Sequence, residues 1–407
     1  MVKQGYKQTE VGIIPVDWQV KTIGELGYVT SGESPSRFTF DNGNTPYFKV
    51  DQLNNSTKYQ EKTPYKIEYE HPVEKGSIIF PKRGAAIATN KVRMLKNPSF
   101  FDTNIMSITF TNKLAHSEFF YYYLVRKELW QIADTTSVPQ INNKHILPLL
   151  CPFPSFVEQE RIVEALSDVD AMISSLEKLI AKKKAVKQGV MQELLTAKKR
   201  LPGFSGKWVT INLSKKSKIK ARIGWQGLTT NEYLDSGYSY LVTGTDFVNG
   251  KIDWDNCHYV AKDRFDQDKN IQIQNDDILI TKDGSLGKTA LVKGLNKPAT
   301  LNSGVFVIRP IQESYDPTFV YYILSSFVFK DFLDHLSAGS TIIHLYQKDI
   351  NKFEFLIPPT IKEQRAIASI LSDMDNEIEA LEQKLEKARQ IKQGMMQQLL
   401  TGKIRLV

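Results

Sequence analysis

The fold is decided by a helical stretch that the chain contains twice, opening as Ser155-Phe156-Val157-Glu158-Gln159 and again as Thr360-Ile361-Lys362-Glu363-Gln364. Two further segments recur at the same offset of 205, namely Ser167-Asp168-Val169-Asp170 as Ser372-Asp373-Met374-Asp375, and Lys187-Gln188-Gly189 as Lys392-Gln393-Gly394. From Glu158 to Leu201, 22 of 44 positions are identical in the second copy. Self-similarity at a fixed offset indicates a protein built from two copies of one unit.

Each copy of the stretch has the pattern of a long coiled-coil helix. Ser155 with Glu158, and Thr360 with Glu363, form capping-box sequences that satisfy the free amides of a first helical turn. Apolar residues then alternate at spacings of four and three, as Ile162, Leu166, Val169, Ile173, Leu176 and Ile180 in the first copy and Ile367, Leu371, Met374, Ile378, Leu381 and Leu385 in the second. A period of about 3.5 residues is typical of a coiled-coil seam. We therefore expect the two seams to pack on each other, with two unrelated surface helices as the alternative.

Glycine occurs at the same place in both predicted helices, as Gly189 and Gly394. Glycine in the middle of a helix costs on the order of 1 kcal/mol relative to alanine. Its repetition therefore suggests that another part of the backbone approaches closely at this point. Helices of this length would extend roughly 55–60 Å at about 1.5 Å per residue.

Composition restricts the class of protein. A chain of 407 residues suggests two to three domains, and no run approaches the roughly 20 apolar residues of a membrane span. The first residues lack the apolar core of a signal peptide, and two cysteines, Cys151 and Cys257, do not make a disulfide framework. These features favour a reducing cytoplasm. A net charge of +8 favours a polyanionic partner, although charge alone is weak support.

Two segments of similar plan precede the two helices, residues 1–153 and 202–358. Each contains an apolar strand pattern leading into a basic glycine loop, ending at Lys82-Arg83-Gly84 in the first and Lys282-Asp283-Gly284 in the second. An aromatic helix follows in each, and the tyrosines at 121–123 are expected to pack in the core. Short β-branched runs broken by Gly, Asn and Pro predict compact α+β domains with more strand than helix.

The order of domain, long helix, domain, long helix resembles the specificity subunit of a type I restriction–modification system. The resemblance rests on Glu-Gln at each helix start, Leu-Ser-Asp-x-Asp within it, Lys-Gln-Gly-x-Met-Gln-x-Leu-Leu-Thr at its end, and the opening segment from Gly5 to Pro15. It implies α+β target-recognition domains at 1–153 and 202–358. It also implies antiparallel coiled-coil spacer helices at 154–201 and 359–407, with internal pseudo-two-fold symmetry.

The resemblance further implies a set of partners. They are double-stranded DNA, two methyltransferase subunits and two restriction–translocase subunits. S-adenosylmethionine, ATP and Mg would serve those subunits and not this chain. Since one turn of DNA is about 34 Å, spacers of roughly 55–60 Å would separate the two recognition domains by more than one turn. The expected DNA site therefore has two read halves and an unread gap.

Candidate DNA contacts lie in loops that combine basic residues with glycine, Gln or Asn. Glycine allows the backbone to approach phosphate, Arg can bind guanine through two hydrogen bonds, and Gln and Asn suit adenine edges. Ordinary solvated loop charges are the alternative. The candidates are Ser34, Arg37, Lys82, Arg83, Gln140, Asn142, Lys144, Arg222, Trp225, Gln226, Lys282, Ser285, Lys288, His344, Gln347 and Lys348.

No catalytic motif is recognisable in the sequence. The segment Gly284–Thr289 has two residues between its glycines where a Walker A loop needs four, and Cys257-His258 lacks companions at zinc spacing. An Asn/Asp-Pro-Pro-Tyr/Phe methyltransferase loop is also missing. We therefore expect a non-catalytic subunit that binds no cofactor or metal. The alternatives are a stand-alone enzyme, a coiled-coil adaptor that binds only protein, and a DNA-binding relative without partners.

Overall fold

The computed structural model describes residues 4–40, 43–55, 58–135, 138–224, 227–337 and 344–407. The chain forms two compact units, unit 1 from 1–177 and 383–407 and unit 2 from 178–382. The chain passes between the units inside each of its two long helices. Each unit therefore combines a globular domain, the beginning of the long helix that follows it and the end of the other long helix.

Among the described residues, unit 1 contains a larger sheet of five strands, a smaller sheet of three strands and two separate pairs of strands. Its elements in chain order are β1 (Tyr6–Thr9), β2 (Gly12–Pro15), β3 (Gln19–Thr22), α1 (Ile23–Leu26), β4 (Gly27–Ser31), β5 (Thr45–Phe48), β6 (Tyr59–Gln60), β7 (Lys66–Ile67), β8 (Ile78–Pro81), β9 (Arg93–Leu95), β10 (Phe100–Phe101), β11 (Ile105–Phe110), α2 (Ser117–Lys127), α3 (Asn143–Ile146), β12 (Leu150–Phe153) and the first part of α4 (Phe156–Leu194). The larger sheet has the order β4-β11-β8-β9-β6, and the smaller has the order β10-β5-β7. Strand β12 pairs antiparallel with β3 and leads into α4.

Unit 2 repeats this plan. Its elements are the end of α4, β13 (Val209–Asn212), α5 (Leu213–Lys216), β14 (Ser217–Ala221), β15 (Ser239–Val242), β16 (Phe247–Val248), β17 (Lys251–Ile252), β18 (His258–Val260), α6 (Lys262–Asp266), β19 (Ile278–Thr281), β20 (Thr289–Leu291), β21 (Ala299–Leu301), β22 (Val305–Pro310), α7 (Pro317–Leu324), α8 (Phe327–Ser337), α9 (Gln347–Ile350), β23 (Glu354–Ile357) and the first part of α10 (Ile361–Leu399). One sheet has the order β14-β22-β19-β20, another β18-β15-β21, and β13 pairs with β23. The expected mixture of sheet and helix, repeated twice, is confirmed.

Each unit has a core to which both long helices contribute. In unit 1, Trp18 of the domain, Ile162 of α4 and Leu399 of α10 belong to one buried cluster. In unit 2, the corresponding cluster contains Leu194 at the end of α4 and Leu371 of α10. Burying apolar side chains contributes about 25 cal/mol per Å² removed from water, so each domain is stabilised by its helix segments. The tyrosines at 121–123 are buried as expected.

The long helices comprise 39 residues each, about 58 Å at 1.5 Å per residue. The residues at the apolar positions spaced by four and three are all buried or half-buried. Within unit 1, ion pairs join Asp170 to Lys392 at 2.6 Å and Glu177 to Arg389 at 2.7 Å. Because the numbers rise along α4 as they fall along α10, the two helix segments of unit 1 run antiparallel.

The same arrangement holds within unit 2. Lys184 of α4 pairs with Glu382 of α10 at 2.7 Å, and Lys187 pairs with Asp375. Two lysines of this part of α4 are therefore ion-pair partners of α10 carboxylates. The segments of α4 and α10 therefore pack antiparallel within unit 2, as they do within unit 1.

The repeated Glu-Gln pair fastens the start of α4. Buried Glu158 accepts hydrogen bonds from Trp18 Nε1 at 2.9 Å and from Arg405 Nε at 2.6 Å. The neighbouring Gln159 accepts the backbone N–H of His116 at 2.8 Å and donates to the carbonyl of Leu114 at 3.0 Å. The pair thus ties the first helical turn to the domain and to the segment that follows α10.

The second copy of the pair does the same for α10. Glu363 accepts from Arg200 Nε at 2.9 Å, and Gln364 accepts the backbone N–H of Asp316 at 2.8 Å. Arg200 and Arg405 are themselves equivalent positions at the 205-residue offset. The repeated Glu-Gln pair therefore makes equivalent contacts in both units.

The structure overturns the explanation proposed for the helical glycines. A Cβ atom added at Gly189 or Gly394 would meet nothing within 4 Å. Close backbone approach therefore does not require glycine at either position. The first long helix is also shorter than the predicted run, because α4 ends at Leu194 and residue Ala197 has a positive φ of 59°.

Candidate nucleic-acid interface

The basic loops of unit 1 leave its larger sheet at one edge. Strands β4 and β8 both run antiparallel to β11, with Ser31 opposite Met106 and Pro81 opposite Ile105. The ends of β4 and β8 therefore lie beside the beginning of β11. The loops that follow them, residues 32–37 and 82–84, project from this edge. We call residues 32–37, 82–84 and 139–144 the loop edge of unit 1.

Backbone hydrogen bonds bring two distant parts of the sequence together at this edge. Ile141 donates its N–H to the Lys82 carbonyl at 2.8 Å, and Gly84 donates to the Pro139 carbonyl at 2.8 Å. Arg83 and Gln140 form an isolated antiparallel bridge. Gly84 has φ of 74°, a backbone conformation that favours glycine. The predicted contacts Arg83 and Gln140 are thus neighbours in space.

The side chains of the basic loop are placed differently. Arg83 is exposed, whereas Lys82 is half-buried. Burial lowers the pKa of Lys82, and the charge of nearby Asp102 partly opposes this shift. Arg83 is therefore free to reach outward, while Lys82 stands closer to the sheet.

Asn142 and Lys144 are presented by the short helix α3. The backbone N–H of Asn142 donates to His145 Nδ1 at 3.0 Å, which holds the first turn. Asn142 is half-buried and Lys144 is exposed. Because α3 directly follows the strand-like segment that pairs with the basic loop, both residues lie at the loop edge.

Ser34 and Arg37 reach the loop edge through their own turn. Ser34 caps the turn Pro35–Arg37, where its Oγ accepts the N–H of Ser36 at 3.4 Å. Exposed Arg37 pairs with Glu33 at 2.8 Å. Because Arg37 is exposed and Glu33 is only half-buried, this ion pair contributes at most about 1 kcal/mol, and an external anion could compete for Arg37.

Unit 2 builds an equivalent edge from equivalent strands. Strands β14 and β19 run antiparallel to β22, with Ala221 opposite Phe306 and Thr281 opposite Val305. Leu345 donates its N–H to the Lys282 carbonyl at 3.0 Å, as Ile141 does to Lys82 in unit 1. We call residues 282–288 and 344–348 the loop edge of unit 2.

The equivalent edges carry different side chains. The backbone match places Asp283 where unit 1 has Arg83, and His344 where unit 1 has Gln140. Asp283 Oδ1 lies 2.5 Å from His344 Nδ1, and both side chains are about half-exposed. One edge therefore presents a guanidinium beside an amide, and the other a carboxylate beside an imidazole.

Apart from Lys282, the remaining candidates of unit 2 are exposed on the same loop edge. Ser285 and Lys288 are exposed, and Lys288 Nζ donates to the Gly244 carbonyl at 3.3 Å. Gln347 and Lys348 are exposed on α9, where Lys348 Nζ lies 5.5 Å from the centre of the Tyr346 ring. Lys282 is half-buried, as Lys82 is in unit 1.

Arg222 is not a surface loop residue, and the prediction that it contacts DNA is withdrawn. Its residue surface is 2% exposed. Its Nε donates to the Leu301 carbonyl at 2.8 Å, and one terminal nitrogen donates to Thr300 Oγ1 at 3.2 Å. The guanidinium holds strand β21 from inside the domain. The other two candidates of this segment, Trp225 and Gln226, lie outside the described residues.

Two residues of the unit 2 loop edge were missed by sequence reasoning. Asp283 faces His344, and Tyr346 is 56% exposed between His344 and Lys348. Comparison of the two basic glycine loops could have identified Asp283, because it occupies the place of Arg83. No pattern in one sequence marks an exposed tyrosine in this way.

The described part of the chain, residues 4–40, 43–55, 58–135, 138–224, 227–337 and 344–407, carries no metal-binding cluster and no membrane-spanning helix. Among those residues, no group of three or more His, Cys, Asp or Glu side chains is arranged to hold a metal ion. Within the same residues, no helix is both long and apolar enough to cross a membrane.

Two equivalent loop edges with different side chains, on a chain with a net charge of +8, are features expected of a protein that reads DNA with two domains. The family model for the type I restriction–modification DNA specificity domain matches residues 15–188 and 226–390. These two matches cover most of the chain. The chain therefore belongs to this family and carries its domain twice. It is a DNA-specificity subunit and not itself an enzyme.

Similar proteins align with this chain along nearly its whole length. The putative type I restriction enzyme MjaX specificity subunit of Methanocaldococcus jannaschii is 25% identical, with 99% of this chain and 97% of the relative aligned. The MjaVIII specificity subunit of the same organism is 24% identical over 99% of this chain and 97% of the relative. The crystal structure of a type I restriction–modification S subunit from M. genitalium has the same fold, with a TM-score of 0.60, 18% identity, and coverage of 94% of this chain and 96% of that one.

Proposed function

We propose that the chain directs a type I restriction–modification complex to a DNA site with two halves. Residues 1–153 would read one half and residues 202–358 the other. The helices at 154–201 and 359–407 would act as antiparallel coiled-coil spacers that set the length of the unread gap, with an approximate two-fold relation between the two readers. The chain itself would select the site, and its partners would supply the chemistry.

The observation that carries this proposal is the pair of loop edges. Both include the basic loop after a strand that runs antiparallel to the central strand of its sheet, and in both this loop is hydrogen-bonded through the backbone to the segment before the next long helix. Common construction with different side chains is what two readers of different sequences require. Arg83 beside Gln140 and Asp283 beside His344 are the clearest example.

The proposed DNA contacts follow from exposure and chemistry. Exposed Arg83 suits guanine, which offers N7 and O6 as acceptors, and Gln140 suits an adenine edge. Lysines suit phosphates and contribute affinity that falls as salt rises. The proposed set is Ser34, Arg37, Lys82, Arg83, Gln140, Asn142, Lys144, Lys282, Ser285, Lys288, His344, Gln347 and Lys348.

The proposed complex contains further subunits. Two methyltransferase subunits would bind S-adenosylmethionine and methylate adenine, and two restriction–translocase subunits would use ATP and Mg to translocate and cut DNA. The internal repeat supports two identical partners, because each unit offers the same arrangement of helix segments and domain. The complex would work in the cytoplasm.

The proposal is tested by sequencing the methylated DNA of a host that expresses this chain with its methyltransferase subunit. The expected result is N6-methyladenine in a two-part motif with one fixed gap, not present when this chain is omitted. Replacing residues 1–153 with the corresponding domain of another specificity subunit should change one half of the motif. A stable complex that produces no two-part motif would refute DNA addressing and favour a protein-binding adaptor.

A further inference from the structure

The two motifs inside the long helices meet at one point in unit 1. Asp170, the last residue of Ser-Asp-x-Asp in α4, accepts the hydroxyl proton of Tyr122 on Oδ2 at 2.7 Å. Its other oxygen, Oδ1, lies 2.6 Å from the ammonium of Lys392, which opens Lys-Gln-Gly in α10. Ser167 Oγ is 3.2 Å from the same Tyr122 hydroxyl. One carboxylate thus joins the globular domain through α2 to both long helices.

Unit 2 repeats this junction at equivalent positions. Asp375 accepts from the Tyr322 hydroxyl on Oδ2 at 2.8 Å, and Lys187 pairs with its Oδ1. Ser372 Oγ is 3.2 Å from the Tyr322 hydroxyl. Here α10 supplies the carboxylate, α4 supplies the lysine and α7 supplies the tyrosine. The same oxygens serve the same kinds of partner in both units.

The lysine in each junction also faces the aromatic ring. Lys392 Nζ lies 5.6 Å from the centre of the Tyr122 ring, and Lys187 Nζ lies 5.3 Å from that of Tyr322. Burial raises the pKa of Tyr122, so its hydroxyl keeps its proton and acts as a donor to the carboxylate. A cation within about 6 Å of a ring centre is attracted to it. The lysine of one helix therefore contacts the tyrosine of the domain directly, in addition to the link that both make to the carboxylate of the other helix.

We propose that Asp170 and Asp375 are positioning residues that fix each DNA-reading domain to both long helices and thereby determine a single gap length. The inference rests on the proposed function, in which the helices space the readers. The apolar core that each domain shares with both helices is non-directional, so by itself it permits small shifts of the domain along them. The hydrogen bond and the ion pair of each junction form in one register only and oppose such shifts. The loop edge of each unit therefore keeps one position along the helices.

The two junctions are not identical in their surroundings. In unit 1, Lys58 Nζ donates to Tyr122 Oη at 2.9 Å, to Ser167 Oγ at 3.1 Å and to Glu118 at 2.8 Å. Its side chain is 12% exposed. These contacts add a second link between the first domain and α4. We therefore expect the first reader to be held more firmly than the second.

The first test removes one hydroxyl from the junction. Tyr122→Phe, made in a host expressing the whole complex, keeps the buried ring but removes the hydroxyl that bonds to Asp170, Ser167 and Lys58. The measurement is the distribution of gap lengths among methylated sites. We expect methylation at gaps one base pair longer or shorter to rise about tenfold, because a hydrogen bond to a charged group contributes roughly this factor. Both half-site sequences should stay unchanged.

Tyr123→Phe is the matched control. Tyr123 is the next residue on α2, and its hydroxyl donates to the Leu150 carbonyl at 2.8 Å within the domain. This variant loses the same atom without disturbing the junction, so it should keep the single wild-type gap. A Tyr122→Phe complex with the wild-type gap distribution would overturn the proposal. Uniformly lower methylation with no new gap would also overturn it, since that result indicates only reduced stability.

A second variant tests the link to the other helix. Lys392→Met removes the charge that binds Asp170 while keeping a long side chain, and Lys392→Arg restores the charge. We expect Lys392→Met to broaden the distribution of gap lengths and Lys392→Arg to keep the single wild-type gap length. Equal gap distributions for Lys392→Met and wild type would contradict the proposed role. A wild-type complex without any two-part motif would instead refute the proposed function, and the inference with it.

Discussion

Arg405 Nε donates to Glu158 Oε1 at 2.6 Å, which joins the segment after α10 to the first turn of α4 within unit 1. A second guanidinium nitrogen reaches Glu158 Oε2 at 2.9 Å, and Asp17 accepts further bonds from Arg405. The Glu158 side chain is 2% exposed. The hydrogen bonds to Glu158 and Asp17 raise the pKa of Arg405, so its guanidinium keeps its positive charge.

Replacing Arg405 with alanine should destabilise unit 1. The buried carboxylate of Glu158 would lose its charged partner, which costs about 1.5–3 kcal/mol of unfolding free energy. The check is the urea midpoint of the purified subunit or of its complex. Arg389→Ala is the control, because Arg389 is 52% exposed in its pair with Glu177. An exposed pair contributes at most about 1 kcal/mol, so equal midpoints for the two variants would contradict this interpretation of Arg405.

Arg222→Ala should reduce stability without reducing DNA affinity. The buried guanidinium donates to Leu301 and Thr300, and its loss leaves these acceptors unpaired at about 1–3 kcal/mol. Lys220→Ala is the matched control, since Lys220 is exposed on the neighbouring strand β14 and carries the same charge. The unfolding temperature of Arg222→Ala should be lower than that of Lys220→Ala. The DNA affinities of the two variants, measured well below the unfolding temperature, should be the same. If Arg222→Ala lost DNA binding without losing stability, Arg222 would again be a candidate DNA contact.

Arg83→Ala and Lys282→Ala should affect different properties of DNA binding. Arg83→Ala should weaken base preference in the first half by about 1–3 kcal/mol at one position if Arg83 binds guanine. Lys282→Ala should instead reduce the salt dependence of binding, with the slope falling by about 0.9 per lost phosphate contact. Methylated-site sequencing and DNA titrations at several salt concentrations provide the two measurements.

The controls for these loop variants lie at the opposite ends of the same sheets. Lys75 is exposed just before β8, and Lys293 is exposed just after β20, whose Leu291 pairs with the first residue of β19. Lys75→Ala and Lys293→Ala remove the same charge away from the loop edges. They should leave the motif and the salt slope close to wild type. Effects as large as those of Arg83→Ala and Lys282→Ala would mean that net charge, and not the loop edge, determines binding.

The repeat explains why much of this fold could be predicted from one sequence. The capping pairs at Glu158 and Glu363 and the apolar spacing mark helices through local chemistry, which a sequence displays directly. The partners of these glutamates could not be predicted, because Arg405 and Arg200 are distant in sequence and become neighbours only in the folded units. The prediction that Arg222 contacts DNA was wrong for a related reason. A basic residue after a strand looks exposed until the sheet that covers it is known.

The cysteine thiols should be unreactive in the folded protein. Burial raises the pKa of Cys151 to about 12 and that of Cys257 to about 12. Since the thiolate is the reactive form, both should remain protonated at pH 8. A thiol-reactive dye should modify neither residue at pH 8 in native buffer, and both in denaturant. Rapid modification of Cys151 under native conditions would show that strand β12 opens away from β3.

Lengthening both long helices should lengthen the gap in the DNA site. The boundaries between the units fall at Glu177/Lys178 and at Glu382/Gln383, so seven residues inserted at both points leave every described contact within each unit intact. Seven residues preserve the 3.5-residue seam and add about 10.5 Å of helix, close to three base pairs at about 3.4 Å each. Methylated-site sequencing should show the same half-sites with a gap about three base pairs longer. An insertion in one helix alone should abolish methylation, because the seams can no longer pair in register. An unchanged gap in the doubly extended chain would refute the spacer mechanism.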